Sequence, residues 1–471
     1  MKKNSHNSEI NILLISCYEL GNQPVSTASL HAFLKNFSYK PSVLDLSTQK
    51  IDLKEIENYD FIAMSTPMHT ALGIAVEATK MIREINKKCH VCFYGDYAHL
   101  NSDYLLDNIA DSCISGEIQI PMLELIKSIE NSQSSSAMKG INSRHKNKSP
   151  FIKKPDFKTP DRSFLPSLSH YNKLIKGSTH IVTGAVETSR GCKHQCLHCP
   201  ITPIYEGRFF VIPEKIVLTD IRNLYGQGAR HITFTDPDFL NGPTHSLRIL
   251  RNMNKSFPKM TFDFTAKVEH LLKNKDIFPE LKQLGCLFIV TALESLNGEI
   301  LKKLIKGHTK KDFLKVLKIA RETDISIRPS LIAFTPWTTP YDYMELLNFI
   351  EKNQLVYEIE PVQMSIRLLI PPGSNLLKLD DLKKYIVKFE PEKFIHTWKH
   401  PDPNMELLNY RVSKIAGNYS ATSADPLEIF VAIKKEFFTI FPEMINNDKN
   451  IIFSVKKQTP KPPKLTESWF C

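Results

Sequence analysis

Short apolar runs alternate with amphipathic stretches between residue 11 and about residue 128. The pattern predicts five strands, with the sequences NILLISC, PSVLDLS, DFIAMST, HVCFYGD and DSCISGE. Helical spacing is clearest in TALGIAVEATKMIREINKK, where Ala71, Ala75, Ala78 and Ile82 lie on one face. Strands that alternate with helices favour a parallel, doubly wound sheet. Ligands of such sheets bind at the carboxyl ends of the strands.

A second alternation of strands and helices begins near residue 179. Its predicted strands are HIVTGAVET, HITFTD, TFDFTAK, CLFIVTALE, SIRPSLIAF and EPVQMSIRLLI. Six βα units in series favour a partial (β/α)6 barrel, and the chemistry of such barrels lies at the carboxyl-terminal rim. The predicted fold class is therefore α/β, with a doubly wound front domain followed by a partial barrel.

Composition along the chain suggests four segments. Residues 1–130 form the predicted front domain, and 131–178 contain a serine-rich basic linker followed by a proline-rich strap. The predicted barrel covers 179–375, and 376–471 form a small extension. The extension ends in KKQTPKPPKLTESWFC, whose proline-lysine run predicts a tether.

Charge and hydropathy narrow the class of protein. The 471 residues carry a net charge of +11, but the lysines are spread along the chain, so nucleic acid binding is not indicated. No run approaches the roughly 20 apolar residues that cross a bilayer, so no membrane partner is expected. The short apolar run near the start does not predict a signal peptide. We therefore expect a cytoplasmic protein.

The stretch GCKHQCLHCP contains three of the nine cysteines, Cys192, Cys196 and Cys199. An odd number of cysteines without an export signal favours ligand or catalytic thiols over disulfides. Zinc would need a fourth ligand, which His194 or His198 could supply. A ferredoxin-type cluster would need a fourth cysteine nearby, and the sequence has none. The remaining interpretation is a 4Fe–4S cluster that is bound through three of its irons.

The same stretch resembles the CxxxCxφC motif of radical SAM enzymes, with His198 at the φ position. The resemblance implies that the three cysteines bind a 4Fe–4S cluster and that S-adenosylmethionine chelates the fourth iron. It also implies reductive cleavage of S-adenosylmethionine to a 5′-deoxyadenosyl radical, for hydrogen abstraction or methyl transfer on an unknown small molecule or peptide. A flavodoxin or ferredoxin would supply the electron.

Further polar residues lie at the ends of the predicted barrel strands. Each has a cofactor-binding and a structural interpretation: the carboxylates could bind S-adenosylmethionine or cap helices, and the arginines could hold its carboxylate or face solvent. These candidate cofactor-binding residues are Asp236, Asp238, Glu294, Ser295, Arg328 and Arg367.

The front domain, strap and barrel together resemble cobalamin-dependent radical SAM proteins, which implies a Rossmann-like, cobalamin-binding-like front domain and a TIM-type barrel. The sequence departs from the histidine-ligating type, which carries DxHxxG after its first strand. Here that position reads CYELGNQPVSTASL, with His31 inside a predicted helix and His69 after the third strand. Either cobalamin binds without a histidine ligand or the domain keeps only the fold, and the sequence slightly favours the second.

The end of the chain resembles a radical SAM selenoprotein family whose members finish in Cys-Sec-Ala-Glu-Pro or Cys-Cys-Ala-Glu-Pro. The matching residues are PMHTA, PWTT and the final Trp469-Phe470-Cys471. Our hypothesis is that a UGA codon for selenocysteine follows Cys471 and that Cys471 takes part in catalysis as a redox thiol. A different class of function is a non-catalytic iron–sulfur or corrinoid-binding sensor or carrier.

Overall fold

The computed structural model describes residues 10–132, 138–144, 149–420, 424–447 and 461–467. Two sheets dominate it, one of six strands near the amino terminus and one of seven strands in the remainder. Within the described residues, no helix combines the length and the apolar character that a membrane crossing needs.

The front sheet has the strand order β2-β1-β3-β4-β5-β6. Its strands are β1 (Ile12–Ser16), β2 (Ser42–Asp45), β3 (Phe61–Ser65), β4 (His90–Tyr94), β5 (Ser112–Ile114) and β6 (Ile141–Asn142). The first five are parallel and β6 is antiparallel to β5. The chain reverses its direction of winding between β1 and β3, so the loops after these two strands meet at the switch point.

Helices cover both faces of the front sheet, which explains why its strands are almost continuously apolar. They are α1 (Val25–Lys35), α2 (Leu53–Ile56), α3 (His69–Ile85), α4 (Asp96–Leu100), α5 (Ser102–Asn108) and α6 (Gln119–Glu130). Alternate strand residues enter two separate cores, because successive side chains point to opposite faces: Leu13 belongs to one core and Leu14 to the other.

The second sheet is a curled half-barrel with the order β14-β13-β12-β11-β8-β7-β17. Strands β8, β11, β12, β13 and β14 run parallel, and β7 is antiparallel to β8. A separate hairpin pairs β9 with β10. The strands up to β14 are β7 (Lys173–Lys176), β8 (Thr179–Val186), β9 (Ser189–Gly191), β10 (Phe209–Val211), β11 (His231–Phe234), β12 (Thr261–Thr265), β13 (Cys286–Glu294) and β14 (Ser326–Leu331).

Helices pack on the outside of the half-barrel, and most of them share one large core with its strands. They are α7 (Thr202–Tyr205), α8 (Glu214–Gly226), α9 (Pro243–Ser256), α10 (Val268–Lys273), α11 (Phe278–Gln283), α12 (Gly298–Lys303), α13 (Lys310–Glu322) and α14 (Pro340–Lys352). Thr309 and Thr339 each form a capping box, which fixes the first turns of α13 and α14.

The sixth predicted barrel strand is not a strand. Residues Pro361–Ser365 form a 3-10 helix, and Arg367 makes only an isolated parallel bridge with Phe334. Pro361 favours the start of a helical turn, since its missing N–H is not needed there. The side chain of Gln363 then accepts the N–H of Leu331 at 2.9 Å, in place of a backbone carbonyl on a sixth strand.

The segment after the barrel contains α15 (Asp380–Lys383), β15 (Ile386–Glu390), β16 (Ile395–Trp398), α16 (Pro403–Ser420), α17 (Pro426–Ile440) and β17 (Lys464–Leu465). The sequence predicts a tether near the end, but β17 is packed: it pairs antiparallel with β7. Arg328 on β14 donates to the carbonyl of Pro463 at 3.4 Å. The described tail therefore bridges the open side of the half-barrel, from β7 to β14.

Candidate active site

The three cysteines of GCKHQCLHCP lie in the loop between β9 and α7, near the carboxyl end of β8. Cys196 is buried, Cys192 and Cys199 are half-buried, and none of the three forms a disulfide with another described cysteine. The N–H of Cys199 donates to the carbonyl of Cys196 at 3.2 Å, which closes the loop into a turn. Gly191, with φ of 78°, precedes this turn, and a Cβ there would lie 2.5 Å from the carbonyl oxygen of Arg208. The close approach explains the glycine.

Asp236 holds the start of this loop. It is 2% exposed, and its carboxylate accepts from the Thr188 N–H at 2.9 Å, the Thr188 hydroxyl at 2.7 Å and the Ser189 hydroxyl at 2.6 Å. Burial raises the pKa of Asp236 to about 6, against the effect of these hydrogen bonds. Asp236 thus fixes the chain that enters the cysteine loop.

Asp238 joins three neighbouring segments. Its Oδ1 accepts from the N–H of Leu240 at 2.9 Å, and its Oδ2 lies 2.9 Å from Nδ1 of His270 and 3.4 Å from Nε2 of His194. Burial acts to raise the pKa of Asp238, but its hydrogen bonds to the two histidines bring it below the usual range. The same residue therefore caps a 3-10 helix and contacts two imidazoles, one of them from the cysteine loop.

Glu294, the last residue of β13, lies beneath the cysteine loop. Its backbone is left-handed, with φ of 61°, where the register between β13 and β14 shifts. Oε1 of Glu294 lies 3.2 Å from Nε2 of His198 and 3.0 Å from Nζ of Lys306. Burial alone would raise the pKa of Glu294, but Lys306 and His198 hold it at about 2. The carboxylate is therefore ionised and orients His198.

Two residues that the sequence analysis did not single out also support the loop. Lys306 is 2% exposed, and its charge acts on the thiols of Cys196 and Cys199. The side-chain oxygen of Asn241 accepts the N–H of Lys193 at 3.2 Å. Nothing in the local sequence around Lys306 marks it, because it reaches the site only through the turn that follows α12.

Each of the two predicted arginines pairs with a glutamate. Arg328 is ion-paired with Glu360, and Arg367 binds Glu406 through two 2.9 Å contacts while its guanidinium lies 3.5 Å from the centre of the Trp398 ring. Ser295 accepts the N–H of Asn297 at 3.1 Å, just before α12. The structure thus brings Asp236, Asp238, Glu294 and His198 to the cysteine loop. Arg328, with its partner Glu360, lines a cavity inside the half-barrel, whereas Arg367 pairs with Glu406. Cys471 lies outside the described residues.

A cavity of about 250 Å³ lies inside the half-barrel. Asp236 and Ser330 line it from the strand ends, Leu20 lines it from the front unit, and Lys464 and Glu467 line it from the tail. Glu467 accepts from the hydroxyl of Tyr18, in the loop after β1. The cavity is therefore enclosed by three separate parts of the chain.

The donor set of the cysteine loop fits an iron–sulfur cluster. Three thiols in one turn match the ligands that such clusters use. Burial raises the pKa of the Cys192 thiol to about 11, so its thiolate needs a positive partner such as a bound metal. Lys306 supplies further positive charge beside the other two thiols. The Nδ1 atom of His198 is buried without a hydrogen-bond partner.

Comparison with known proteins identifies the class of this domain. Residues 186–350 match the radical SAM superfamily. The chain is a radical SAM enzyme. Its cofactors are a 4Fe–4S cluster and S-adenosylmethionine. The comparisons thus confirm the predicted fold class, the predicted reaction class and these two predicted cofactors.

Curated relatives of this radical SAM enzyme are distant. The uncharacterized methyltransferase PH0819 of Pyrococcus horikoshii is 20% identical over 358 residues, which are 74% of this chain and 75% of the relative. The hopanoid C-3 methylase of Methylococcus capsulatus is 21% identical over 60% of this chain and 55% of its own length. The uS12 methylthiotransferase RimO of Pelodictyon phaeoclathratiforme is 25% identical over 36% of this chain and 41% of its own.

Solved structures show the same fold. The cobalamin-dependent S-adenosylmethionine radical enzyme OxsB, with aqua-cobalamin and S-adenosylmethionine bound, matches with a TM-score of 0.71 over 93% of this chain and 71% of that one, at 14% identity. The radical SAM methyltransferase TsrM of Kitasatospora setae matches with a TM-score of 0.63 over 81% and 79%, at 16% identity. Both likenesses extend beyond the barrel, because each covers more of this chain than residues 179–375 do.

Proposed function

We propose that Cys192, Cys196 and Cys199 bind the 4Fe–4S cluster and that the enzyme transfers a methyl group to an unknown substrate with a corrinoid in the front unit. The observation that carries the proposal is the turn that brings three thiols to the carboxyl end of the first parallel barrel strand. Parallel barrels place their active sites at this end.

The bound groups supply the electron transfer, the radical and the methyl group, and a reducing protein such as a flavodoxin or ferredoxin supplies electrons. The chain's own residues position them. Glu294 orients His198, and Asp236 fixes the entry of the cysteine loop. The tail and front unit enclose the cavity, which limits the access of water to reactive species.

Single alanine substitutions test the cluster ligands. In each of Cys192→Ala, Cys196→Ala and Cys199→Ala, we expect the reconstituted protein to lose most of its iron, its visible absorption and its 5′-deoxyadenosine production. The buried cysteines Cys113 and Cys286 provide matched controls. Cys113→Ala removes a thiol from a core of the front sheet, and Cys286→Ala removes one from the core of the half-barrel. Equal iron in ligand and control variants would overturn the assignment.

Unpartnered polar atoms at the switch point of the front sheet support a bound group there. Ser16 Oγ and Glu19 Oε1 are buried and have no hydrogen-bond partner among the described residues. Burying such groups without partners is costly, so a ligand that hydrogen-bonds to them would compensate. The cobalamin in the OxsB and TsrM structures, together with the methyltransferase names of the relatives, makes a corrinoid the proposed ligand.

This corrinoid would have neither His31 nor His69 of the front unit as its lower ligand. His31 is buried in α1 beside Asp161, at 3.5 Å, and its ring lies tilted against that of Phe164. His69 hydrogen-bonds to the carbonyl of Lys393 at 2.8 Å. We therefore expect a bound corrinoid to show the spectrum of a species without imidazole coordination.

A second candidate function is hydrogen abstraction without a corrinoid. It is favoured by the contact of Glu467 with Tyr18 and Gly21, because the tail covers the loop after β1. Anaerobic reconstitution with and without cobalamin separates the two. Methyl transfer predicts S-adenosylhomocysteine and a stoichiometric corrinoid, whereas the second candidate predicts 5′-deoxyadenosine alone and no retained corrinoid.

We further propose that Cys471 acts as a redox thiol at the cavity. Glu467 lines the cavity, and the four residues that follow it span at most about 14 Å, so Cys471 is within reach. Cys471→Ser should lower turnover and leave the iron content unchanged, while Ser468→Ala should change neither. Unchanged turnover in Cys471→Ser would contradict the role. A UAA or UAG codon after codon 471 would exclude selenocysteine there.

A further inference from the structure

His194, Asp238 and His270 bring three metal-binding atoms together at the rim of the half-barrel, beside the cysteine loop. His194 belongs to that loop, Asp238 follows β11, and His270 lies on α10 after β12. The three ligand atoms lie within 4.8 Å of one another, and Asp238 and His270 are buried. The geometry points to a second metal site, for a single divalent transition metal.

The distances between these atoms match those around a metal ion. Asp238 Oδ2 to His270 Nδ1 is 2.9 Å, Asp238 Oδ2 to His194 Nε2 is 3.4 Å, and His194 Nε2 to His270 Nδ1 is 3.5 Å. Ligand atoms about 2.1 Å from a metal are about 3.0 Å apart at right angles and about 3.4 Å apart at the tetrahedral angle. One ion could therefore bind all three atoms without a change in backbone position.

A hydrogen-bond network explains the same atoms less well. Asp238 Oδ2 lies near three nitrogen donors, because the N–H of Lys267 also approaches it, at 3.2 Å. A carboxylate oxygen has two lone pairs. The two imidazole nitrogens face each other as well as the carboxylate. A metal ion resolves this crowding, since both imidazole nitrogens would then be ligands and not donors.

The site also has a residue suited to the outer nitrogen of His194. When Nε2 binds a metal, Nδ1 carries the proton and needs an acceptor. Glu269 Oε2 lies 3.9 Å from Nδ1, and Glu269 is half-exposed and able to move closer. Lys267 Nζ now lies 3.2 Å from Nδ1 and 3.6 Å from Glu269, so metal binding would shift this ammonium toward the carboxylate.

Two imidazoles and one carboxylate are a ligand set for zinc or ferrous iron, and three protein ligands leave a coordination position open. The metal would tie the cysteine loop to the ends of β11 and β12. The site shares no cysteine with the proposed cluster, so the two centres can be counted separately.

Zinc is the probe for the test. Full-length protein with its cluster reconstituted is equilibrated with zinc, freed of excess metal, and analysed for zinc and iron. We expect one zinc per chain beside the cluster iron in the wild type and in the control His180→Gln, whose histidine is exposed. His270→Gln should bind zinc at least tenfold more weakly and keep its iron. Absence of zinc in the wild type, or unchanged zinc in His270→Gln, would overturn the site.

A second variant guards against misfolding of His270→Gln. Lys267→Met removes the ammonium beside His194, so it should bind zinc several-fold more tightly. If the three residues form only a hydrogen-bond network, Lys267→Met should leave zinc binding undetectable. Loss of iron with retained zinc would count against the cluster assignment and not against this site.

Discussion

Nη1 of Arg190 lies 3.1 Å from Oε2 of Glu117, and this contact joins the front sheet to the cysteine loop. Glu117 follows β5 and is 1% exposed, whereas Arg190 precedes Cys192 by two residues. Glu187 and the hydroxyl of Tyr205 complete the group, with contacts of 2.9 Å to Arg190 and 3.0 Å to Glu117. A buried ion pair therefore connects the front unit to the chain that enters the cysteine loop.

Glu117→Gln tests this connection. Removing one partner of a buried ion pair leaves an uncompensated charge, and since Glu187 still pairs with Arg190 we expect a loss of about 2 to 3 kcal/mol in the free energy of unfolding. The control is Glu124→Gln, which breaks the exposed Glu124–Lys127 pair and should cost less than about 1 kcal/mol. Urea unfolding measures both, and equal losses would contradict a special role for the buried pair.

Arg162→Lys should destabilise the contact between the strap and the half-barrel. Arg162 binds Asp220 through two 2.9 Å contacts and donates to the carbonyl of Ala185 at 2.7 Å, with both charged side chains at most 3% exposed. Lysine does not reproduce this planar arrangement, so we expect a loss of about 3 kcal/mol in the free energy of unfolding, measured by urea unfolding. Arg251→Lys alters an exposed two-contact pair with Glu280 and is the matched control, with an expected loss in the free energy of unfolding much smaller than that of Arg162→Lys.

Asp236→Asn should loosen the cysteine loop. The amide keeps one acceptor oxygen but turns an NH2 group toward the Thr188 and Ser189 donors, which costs about 1 to 3 kcal/mol. Iron should pass to a chelator faster than from the wild type under anoxic conditions. The exposed Asp276 serves as control through Asp276→Asn. The same iron release rate in both variants would show that Asp236 does not brace the loop.

Glu19 should make stability fall as pH rises. Burial raises the pKa of Glu19 from 4.5 to about 8, with Asp45, Glu187 and Arg162 as the neighbouring charges. Between these two pH values the folded state binds more protons than the unfolded state, so the free energy of unfolding decreases by up to about 1.4 kcal/mol per pH unit.

The variant Glu19→Gln removes this titration. Its unfolding free energy should decline less steeply between pH 5 and pH 8, measured by urea unfolding at about four pH values. The wild type should keep part of the slope without Glu19, because burial also raises the pKa of Asp96 and of Glu187 to about 7. Parallel pH profiles for the two proteins would contradict the assignment.

The sequence predicts those parts of the structure that depend on local pattern. The five front strands correspond to β1 to β5, because strands buried on both faces form distinct apolar runs. The spacing of the three cysteines predicts a metal-binding loop, and the resemblance of GCKHQCLHCP to the radical SAM motif predicts the reaction class. The prediction of a sixth barrel strand is wrong for a physical reason. Its apolar residues also suit a buried 3-10 helix, and the side chain of Gln363 accepts the N–H of Leu331 on the neighbouring strand.

Residues that meet only through the fold are less predictable. Lys306 is twelve residues from Glu294, and Glu117 is 73 residues from Arg190, so no local pattern links the members of either pair. The two candidate arginines raise the same point. Arg328 and Arg367 suit a substrate carboxylate by charge, but Glu360 and Glu406, also invisible to local pattern, pair with them.

Lys464 and Leu465 also cover an edge of the half-barrel sheet, because they pair with β7. Their two-residue strand occupies hydrogen-bonding groups of β7 that would otherwise accept a strand from another chain. A protein that lacks residues 461–467 would carry an exposed sheet edge. We expect such a protein to self-associate more than the full chain on size-exclusion chromatography, because the final strand covers part of this edge.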